Sequence, residues 1–206
     1  MTAHSPTPNE QTSDAVRSDL DGYEIVVGIC GGIAVYKVCS VVSELVQRGA
    51  GVTCVMTRSA TKFVRPLTFE ALTGRAVLTS LWKPQHSYDP QHIKLTDAAD
   101  LFVVAPATAN IIAKTANGIA DDLLSTLLTS VNCPVLLAPA MNDRMWANPA
   151  VTANVARVKE FGYHLVGPGE GWLACRSIGK GRLEEPPTIV GAIVDLLPNQ
   201  KKSESR

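Results

Sequence analysis

The fold is decided by a stretch near the N-terminus, Tyr23-Glu24-Ile25-Val26-Val27-Gly28-Ile29-Cys30-Gly31-Gly32-Ile33. Its first seven residues are mostly apolar without alternation, which is typical of a strand buried on both faces of a sheet. The glycines that follow predict a turn, and the amphipathic pattern from about residue 33 to residue 48 predicts a helix that Gly49 ends. A strand, a glycine turn and a helix in this order begin a β-α-β unit.

Short apolar runs alternate with helical patterns along the rest of the chain. We predict strands at 52–56, 101–105 and 135–138, a weaker strand at 163–166 and a closing helix at 188–197. This alternation predicts an α/β fold, a single-domain doubly wound, mostly parallel sheet of the Rossmann or flavodoxin-like three-layer kind. We expect a disordered tail at 1–22, the domain at 23–197 and a charged tail at 198–206.

Composition narrows the range of partners. The chain has 206 residues, with 19 Lys plus Arg against 19 Asp plus Glu, so no net charge attracts nucleic acid or an anionic membrane. Small molecules and other subunits are the expected partners. No segment resembles a signal peptide or approaches the length of a membrane span, and we expect a cytoplasmic protein.

Five scattered cysteines without a CxxC pair argue against a disulfide framework and against a structural zinc. A reducing compartment and no bound metal are expected. Four of them lie in or beside predicted strands or on a helix, and we expect these to be inert core thiols: Cys30, Cys39, Cys54 and Cys133.

Small and polar residues follow the first three predicted strands. The turn Gly31-Gly32-Ile33 at a helix N-terminus favours a phosphate, although its spacing is not G-x-G-x-x-G. The second strand ends in Thr57-Arg58-Ser59 instead of an acidic residue, which suits a phosphate-bearing or NADP-like ligand better than NAD. The third is followed by small residues, a hydroxyl and an amide at 106–110. Alternatively, the glycines serve only close helix packing.

The segment 139–146, Pro-Ala-Met-Asn-Asp-Arg-Met-Trp, follows the strand at 135–138 directly. Ligands bind at the carboxyl ends of strands in α/β sheets. The amide of Asn142 suits recognition of a carboxylate or amide on a small molecule, while Met141, Met145 and Trp146 supply apolar walls. The alternative is that Asn142 only caps a helix.

Two further residues are candidates for proton transfer. His92, after a Pro-bounded loop, could act as a base near neutral pH, although a lone histidine is more often structural. Cys175 lies in 167–187, a glycine-rich segment that predicts a long mobile loop acting as a lid. The cation of Arg176 beside it is expected to favour the thiolate.

Together these motifs resemble the flavin-dependent cysteine decarboxylases. The likeness runs from about residue 23 to residue 197, and the most specific element is Pro-x-Met-Asn-x-x-Met-Trp at 139–146. Also matched are the glycine turn, the segment 106–110 and Ala174-Cys175 ahead of Gly179-Lys180-Gly181-Arg182.

The resemblance implies an FMN cofactor and a set of site residues. His92 matches the catalytic histidine, Asn142 the residue that binds the substrate carboxylate, with Met145 beside it, and Cys175 the cysteine that donates a proton in the final reduction. The residues implied to line the FMN site are Gly31, Gly32, Ile33, Thr57, Arg58, Ser59, Ala107, Thr108, Ala109, Asn110 and Ala140.

The resemblance also implies why a flavin is needed. An N-acylated cysteine carboxylate offers no electron sink to departing CO2, and oxidation of the carbon bearing sulfur to a thioaldehyde creates one. Decarboxylation gives an enethiolate, which a returned hydride and a proton convert to the product. Peptidyl-cysteine decarboxylases of lantibiotic synthesis stop at the enethiol and lack the reductive cysteine. Cys175 therefore favours the complete cycle, which in coenzyme A biosynthesis converts 4′-phosphopantothenoylcysteine to 4′-phosphopantetheine.

Two features depart from the family pattern. Arg176 stands where the family usually has glycine, and a basic residue that some relatives place after the histidine to meet the substrate phosphate is missing. Candidates to replace it are Lys94, Arg144, Arg176 and Lys180. The resemblance further implies a homotrimer or a dodecamer of trimers, with FMN and substrate between subunits, and a phosphopantothenate–cysteine ligase on a separate polypeptide.

Three other readings of the sequence stay open. A flavin prenyltransferase would share the fold and FMN site but leave His92, Asn142 and Cys175 without a common purpose. A regulatory subunit that binds a protein phosphatase would need an acidic tail, which is not seen here. A pterin- or NADP-binding reductase would depend on Arg58 and the glycine turn.

Overall fold

The computed structural model describes residues 18–82 and 91–197. At its centre lies a five-stranded parallel sheet with the strand order β2-β1-β3-β4-β5. The strands are Glu24–Ile29 (β1), Gly51–Met56 (β2), Leu101–Ala107 (β3), Val135–Pro139 (β4) and His164–Leu165 (β5). Strands β3 and β4 are buried along their whole length, as their continuously apolar sequences predict. The predicted doubly wound α/β fold is confirmed.

Helices cover both faces of the sheet. They are Val35–Gln47 (α1), Pro66–Thr73 (α2), Gln91–Ala98 (α3), Ala109–Ala116 (α4), Leu123–Ser130 (α5), Asp143–Trp146 (α6), Pro149–Glu160 (α7) and Pro186–Leu196 (α8), with a 3-10 turn at Ala60–Lys62. One core joins the sheet to α1, α2 and α8, and the other joins it to α4, α5 and α7. Within the described ranges, no helix is both long and apolar enough to cross a membrane.

Helix α1 shows how the sequence produces this packing. Val35, Val38, Val42 and Leu45 are spaced three or four residues apart and are all fully buried on the sheet. Each such side chain stabilises the fold by about 1.5–3 kcal/mol. The helix therefore has one orientation on the sheet, and its N-terminus points to the edge where β1 ends.

The predicted N-terminal tail extends too far into the domain. Of its residues, 18–22 are described, and Leu20 is buried with its N–H donating to the carbonyl of Arg48 at 3.0 Å. Asp19 forms an ion pair with the same arginine. These contacts attach the segment to the end of α1, so the boundary at residue 22 is wrong. Residues 1–17 and the predicted tail at 198–206 lie outside the described part of the chain.

The segment 167–187 is not the structureless loop that its glycines predicted. Gly169–Trp172 (β6) and Ile178–Arg182 (β7) form an antiparallel hairpin, separate from the main sheet. Two of its glycines lie against the segment after β4, because a Cβ on Gly179 would meet Asp143 and a Cβ on Gly181 would meet Met141. These two glycines allow the close approach of the hairpin to the rest of the domain.

Candidate functional site

The carboxyl ends of β1, β2, β3 and β4 lie along one edge of the sheet because these strands are parallel. Strand β1 lies between β2 and β3. The chain therefore adds β2 on one side of β1 and the later strands on the other, and the switch point lies between β1 and β3. Ligands of open α/β sheets bind at such a switch point. The structure brings the residues predicted to bind FMN to this edge.

The glycine turn after β1 is packed between its two neighbours. A Cβ atom on Gly31 would overlap both the side chain and the backbone of Ser59, so only glycine fits there. A Cβ on Gly32 would meet the Thr108 methyl group at 4.0 Å. The turns after β1, β2 and β3 thus contact one another, and Ser59 is exposed at their surface.

The N-terminus of α1 opens onto this turn. Its N-cap is Ala34, which provides no side-chain hydrogen bond to the first turn. The first N–H groups of a helix have no acceptor within the helix, and the helix dipole makes this end positive. A phosphate beside Gly31, Gly32 and Ile33 would accept hydrogen bonds from the free N–H groups at the start of this 13-residue helix.

Other predicted FMN residues shape the edge. The hydroxyl of Thr57 accepts from the N–H of Ala60 at 3.2 Å, and that of Thr108 caps α4 by accepting from Ile111 N–H at 3.4 Å. Ala107 is fully buried, and its carbonyl accepts from the N–H of Ala140 at 3.0 Å. Three more predicted residues lie at this edge. Arg58 and Asn110 are exposed, and Ala109 is half-buried.

A cavity of about 460 Å³ adjoins the glycine turn. This volume lies in the range of small-molecule sites. Three walls enclose it: the start of α1 (Gly32 to Ala34, Tyr36 and Lys37), the segment after β4 (Ala140, Met141 and Asn142) and the hairpin (Trp172 to Cys175 and Gly181 to Leu183). Gly32 and Ile33 belong both to the turn and to the cavity, so the two regions are continuous.

The hairpin is fixed above the cavity through Gly181. The carbonyl of Gly181 accepts from the N–H of Met141 at 2.9 Å, and a Cβ on Gly181 would overlap the Met141 carbonyl oxygen. With a φ of 146°, the backbone here also suits glycine. This contact explains how a hairpin outside the main sheet holds its turn over the end of β4.

The turn of the hairpin presents Cys175 to Asn142. Leu173 pairs with Ser177, since the Leu173 N–H donates to the Ser177 carbonyl at 2.8 Å, and Arg176 follows with a φ of 66°. A three-residue turn that ends in a left-handed residue is a common hairpin connection, and glycine is the favoured residue there. The family preference for glycine after the cysteine thus has a conformational reason.

Asn142 and Cys175 meet although 33 residues separate them. The Asn142 Nδ2 group donates to the Cys175 Sγ at 3.0 Å, while its Oδ1 accepts from the Arg144 N–H at 2.9 Å. Asn142 is therefore both the helix cap of α6 and a wall of the cavity. Capping and a position at the cavity are thus combined in one side chain, and its binding role stays a prediction.

Of the four predicted core thiols, Cys30 and Cys54 are buried, whereas Cys39 and Cys133 are only half-buried. Burial raises the pKa of Cys30 and of Cys54 to about 12, and it also raises the pKa of Cys39. The pKa of the exposed Cys175 is lowered, first by the hydroxyl of Ser177, at 3.0 Å from its Sγ, and then by the Ser177 backbone and Asn142. The expectation that Arg176 would provide this effect is wrong, because hydrogen bonds from Ser177 and Asn142 provide it.

The predicted substrate-binding residue Met145 is not brought to the cavity. Met145 lies one turn further along α6 than Asn142 and is 46% exposed, whereas Met141 lines the cavity wall. His92 belongs to α3, and its side chain lies outside the described residues, so its role stays a prediction. Within the described ranges, no group of three His, Cys, Asp or Glu side chains could hold a metal ion.

Sequence reasoning missed two cations on the cavity wall. Lys37 and Arg182 both pair with Glu185, at 3.0 and 2.6 Å. Lys37 lies four residues after Ile33 and so on the same side of the chain at the start of α1, which was the available signal. Lys94, Arg144, Arg176 and Lys180 do not line this cavity.

The comparisons with known proteins agree with this geometry. A model of the family described as flavoprotein matches residues 13–198. The chain belongs to the flavoprotein family.

Among curated relatives, the coenzyme A biosynthesis bifunctional protein CoaBC of Bacillus subtilis (strain 168) is 51% identical over 171 residues, which are 83% of this chain and 42% of that protein. The protein of the same name from Mycolicibacterium smegmatis is 46% identical over 165 residues, 80% of this chain and 39% of that protein. The chain spans less than half the length of these relatives.

Solved structures share the fold over nearly their whole length. The FMN-dependent cysteine decarboxylase SpaF has a TM-score of 0.73 and 32% identity, over 86% of this chain and 98% of that chain. A PPC decarboxylase mutant complexed with pantothenoylaminoethenethiol has a TM-score of 0.73 and 28% identity, over 84% and 96% of the two chains.

Proposed function

We propose that this protein is an FMN-dependent carboxy-lyase that decarboxylates 4′-phosphopantothenoylcysteine to 4′-phosphopantetheine in coenzyme A biosynthesis. The observation that carries the proposal is the 3.0 Å contact between Asn142 and Cys175 at the wall of one cavity. In this contact, the side chain proposed to bind the substrate carboxylate, Asn142, lies beside the proposed proton donor, Cys175. Relatives named for coenzyme A biosynthesis and a similar structure that holds an enethiol support the same chemistry.

The glycine turn fits the phosphate of FMN. Gly31 leaves no room for a side chain, Gly32 leaves its backbone accessible beside Thr108, and α1 has no side-chain cap. The N–H groups of Gly31 to Ile33 would hold the phosphate, with the Ser59 hydroxyl beside them. When bound, FMN supplies reversible acceptance of a hydride.

The protein's own residues then bind the substrate and move a proton. The Asn142 amide donates to the substrate carboxylate, a charged acceptor that forms a stronger hydrogen bond than the neutral thiol it contacts in this structure. Once the carboxylate has left as CO2, the Cys175 S–H donates its proton to the enethiolate carbon that carried it. Trp172 and Leu173 of the hairpin line this part of the cavity.

Recognition of the substrate phosphate falls to Lys37 and Arg182 in this proposal. Both line the cavity, and the single carboxylate of Glu185 balances only one of their two charges. A peptidyl-cysteine decarboxylase is the second candidate. Glu185 already forms ion pairs with both Lys37 and Arg182, and the cysteine decarboxylase SpaF shares the fold. A substrate without a phosphate would leave those ion pairs intact.

Assembly completes the site in the proposed enzyme. Four large apolar side chains beside the cavity are exposed in the single chain: Ile33, Tyr36, Trp172 and Ile178. Neighbouring subunits of a homotrimer, or of a dodecamer built from trimers, would cover such a surface. Light scattering should give a trimer or a multiple of three, and a monomer at micromolar concentration would contradict this part of the proposal.

The proposal is tested with the purified protein and its substrate. We expect a yellow protein with the absorption spectrum of non-covalently bound FMN, and a product with the mass of 4′-phosphopantetheine. Pantothenoylcysteine without phosphate is the matched control, and it should react more slowly. A protein that cannot be reconstituted with FMN, or that leaves the substrate unchanged, would overturn the proposal. Equal rates on the two substrates would favour the second candidate.

A further inference from the structure

Ser177 lies between the side chains of Cys175 and Asp143, at the end of the hairpin turn. Its Oγ is 3.0 Å from the Sγ of Cys175 and 3.5 Å from the Oδ1 of Asp143. A hydroxyl has one hydrogen to donate and can also accept. When Cys175 is a thiol, its S–H donates to Ser177, and the Ser177 O–H is directed to the carboxylate. When Cys175 is a thiolate, the Ser177 O–H can turn to the sulfur.

We propose that Ser177 is the positioning residue for the proton donor, because its hydroxyl, with the Asn142 amide, stabilises the thiolate that forms when Cys175 releases its proton. The inference rests on the proposed function for the step it serves. In that step the S–H bond breaks, its proton bonds to the substrate carbon, and sulfur keeps the electron pair. Solvent later returns a proton to the exposed sulfur.

The charges around Cys175 define the role of each neighbour. Asp143 faces it from the start of α6 and disfavours the thiolate, whereas Ser177 and Asn142 favour it. Arg176 follows it in the turn, and Lys37 and Arg182 also line the cavity. Ser177 thus offsets a carboxylate that would otherwise weaken the acid.

This role needs the hairpin to lie close to α6. A Cβ on Gly179 would come within 2.9 Å of the Asp143 Cβ, so that glycine lets β7 approach the carboxylate. Ser177 is half-buried between the two, while Cys175 is exposed. The arrangement was not visible in the sequence, where Ser177 is one more polar residue in a glycine-rich segment.

The test measures the rate of Cys175 alkylation by iodoacetamide against pH, read by peptide mass spectrometry on the full chain. Ser177→Ala should move the profile to higher pH and slow alkylation at neutral pH about fivefold, the effect of one ordinary hydrogen bond. Ser177→Thr keeps the hydroxyl and should restore the parent profile. Asp143→Asn removes the opposing charge and should move the profile to lower pH.

The product analysis then connects the thiol to turnover. In a single turnover, Ser177→Ala should leave a larger share of enethiol product than Ser177→Thr does. A Ser177→Ala profile that coincides with the parent profile would overturn the inference. If the parent protein does not decarboxylate the substrate, the proposed function fails, while the alkylation profiles still decide the role of Ser177.

Discussion

The edge of the sheet and the β6–β7 hairpin both line one cavity, but the sheet has apolar strands whereas the hairpin strands are rich in glycine. Cys30, at the end of β1, is buried, and its pKa is raised to about 12. Cys175, in the hairpin turn, is exposed, and hydrogen bonds lower its pKa. The comparison shows that a thiol is a weaker acid in the apolar core behind the sheet edge than in the polar turn of the hairpin.

The difference follows from what fixes each wall. The sheet is held by two apolar cores, so its edge presents backbone groups in fixed positions. The hairpin approaches the backbone of Met141 at Gly181 and the side chain of Asp143 at Gly179. The sheet edge is therefore positioned by core packing, and the hairpin by local contacts.

The largest effect is expected from Gly181→Ala. The added methyl group would overlap the Met141 carbonyl, and the backbone conformation is strained for alanine. We expect the hairpin to detach and turnover to fall about a hundredfold, since small misplacements of reacting groups cost that much. FMN binding at the other wall should persist. The matched control is Gly191→Ala on α8, where a Cβ meets nothing within 4 Å.

Unchanged turnover in Gly181→Ala would show that the hairpin does not need this contact. Equal losses in Gly181→Ala and Gly191→Ala would show a general effect on folding. Circular dichroism and thermal melting of both variants separate these outcomes.

Asn142→Asp should act on the substrate and leave the fold intact. Asp can still cap α6, but its carboxylate would face the substrate carboxylate, and like charges repel in a closed site. We expect substrate binding to weaken about tenfold or more, which is 1.4 kcal/mol. Binding is measured by titration of the FMN spectrum. Unchanged affinity would leave Asn142 with the capping role alone.

The sheet wall should respond to pH through its buried thiols. The pKa of Cys54 is raised to about 12 in the folded state, so this thiol holds its proton above pH 9 while the unfolded chain loses it. Its contribution to stability is complete below about pH 9 and is lost as pH rises toward 12, by about 1.4 kcal/mol per pH unit.

Urea unfolding at pH 8 and at pH 10 checks this expectation. Cys54→Ala should show a smaller loss of stability between the two pH values than the parent does. Cys175→Ala is the control: a group whose folded pKa is lowered gains stability as pH rises toward its unfolded pKa, so its removal should not make the loss smaller. An unchanged slope in Cys54→Ala would contradict the assigned state of this thiol.

The smallest effect is expected at Arg176. Its φ of 66° is a left-handed conformation that glycine adopts without steric cost. Arg176→Gly should stabilise the turn by less than about 1 kcal/mol, and Arg176→Val should destabilise it by more than that. Thermal unfolding measures both. A lower melting temperature for Arg176→Gly than for Arg176→Val would show that the arginine side chain matters more than its backbone.

The strands of the main sheet were predicted well from the sequence, whereas the β6–β7 hairpin was predicted as a loop. Continuous apolar runs such as 101–105 identify buried strands because burial on both faces leaves a one-dimensional pattern. The hairpin carries glycines instead, because its strands approach another part of the backbone, and that requirement exists only in three dimensions. For the same reason, Cys175 was identified from its motif, whereas Ser177, Lys37 and Arg182 were missed.

The central claim is that Cys175, held by Asn142 and Ser177, delivers the last proton, and Cys175→Ser tests it most directly. An alcohol is a much weaker acid than a thiol, so the variant should release CO2 yet accumulate the enethiol, lighter by two hydrogens than the normal product. Mass spectrometry of the products of parent and variant distinguishes the two. Fully reduced product formed by Cys175→Ser at the parent rate would contradict the claim.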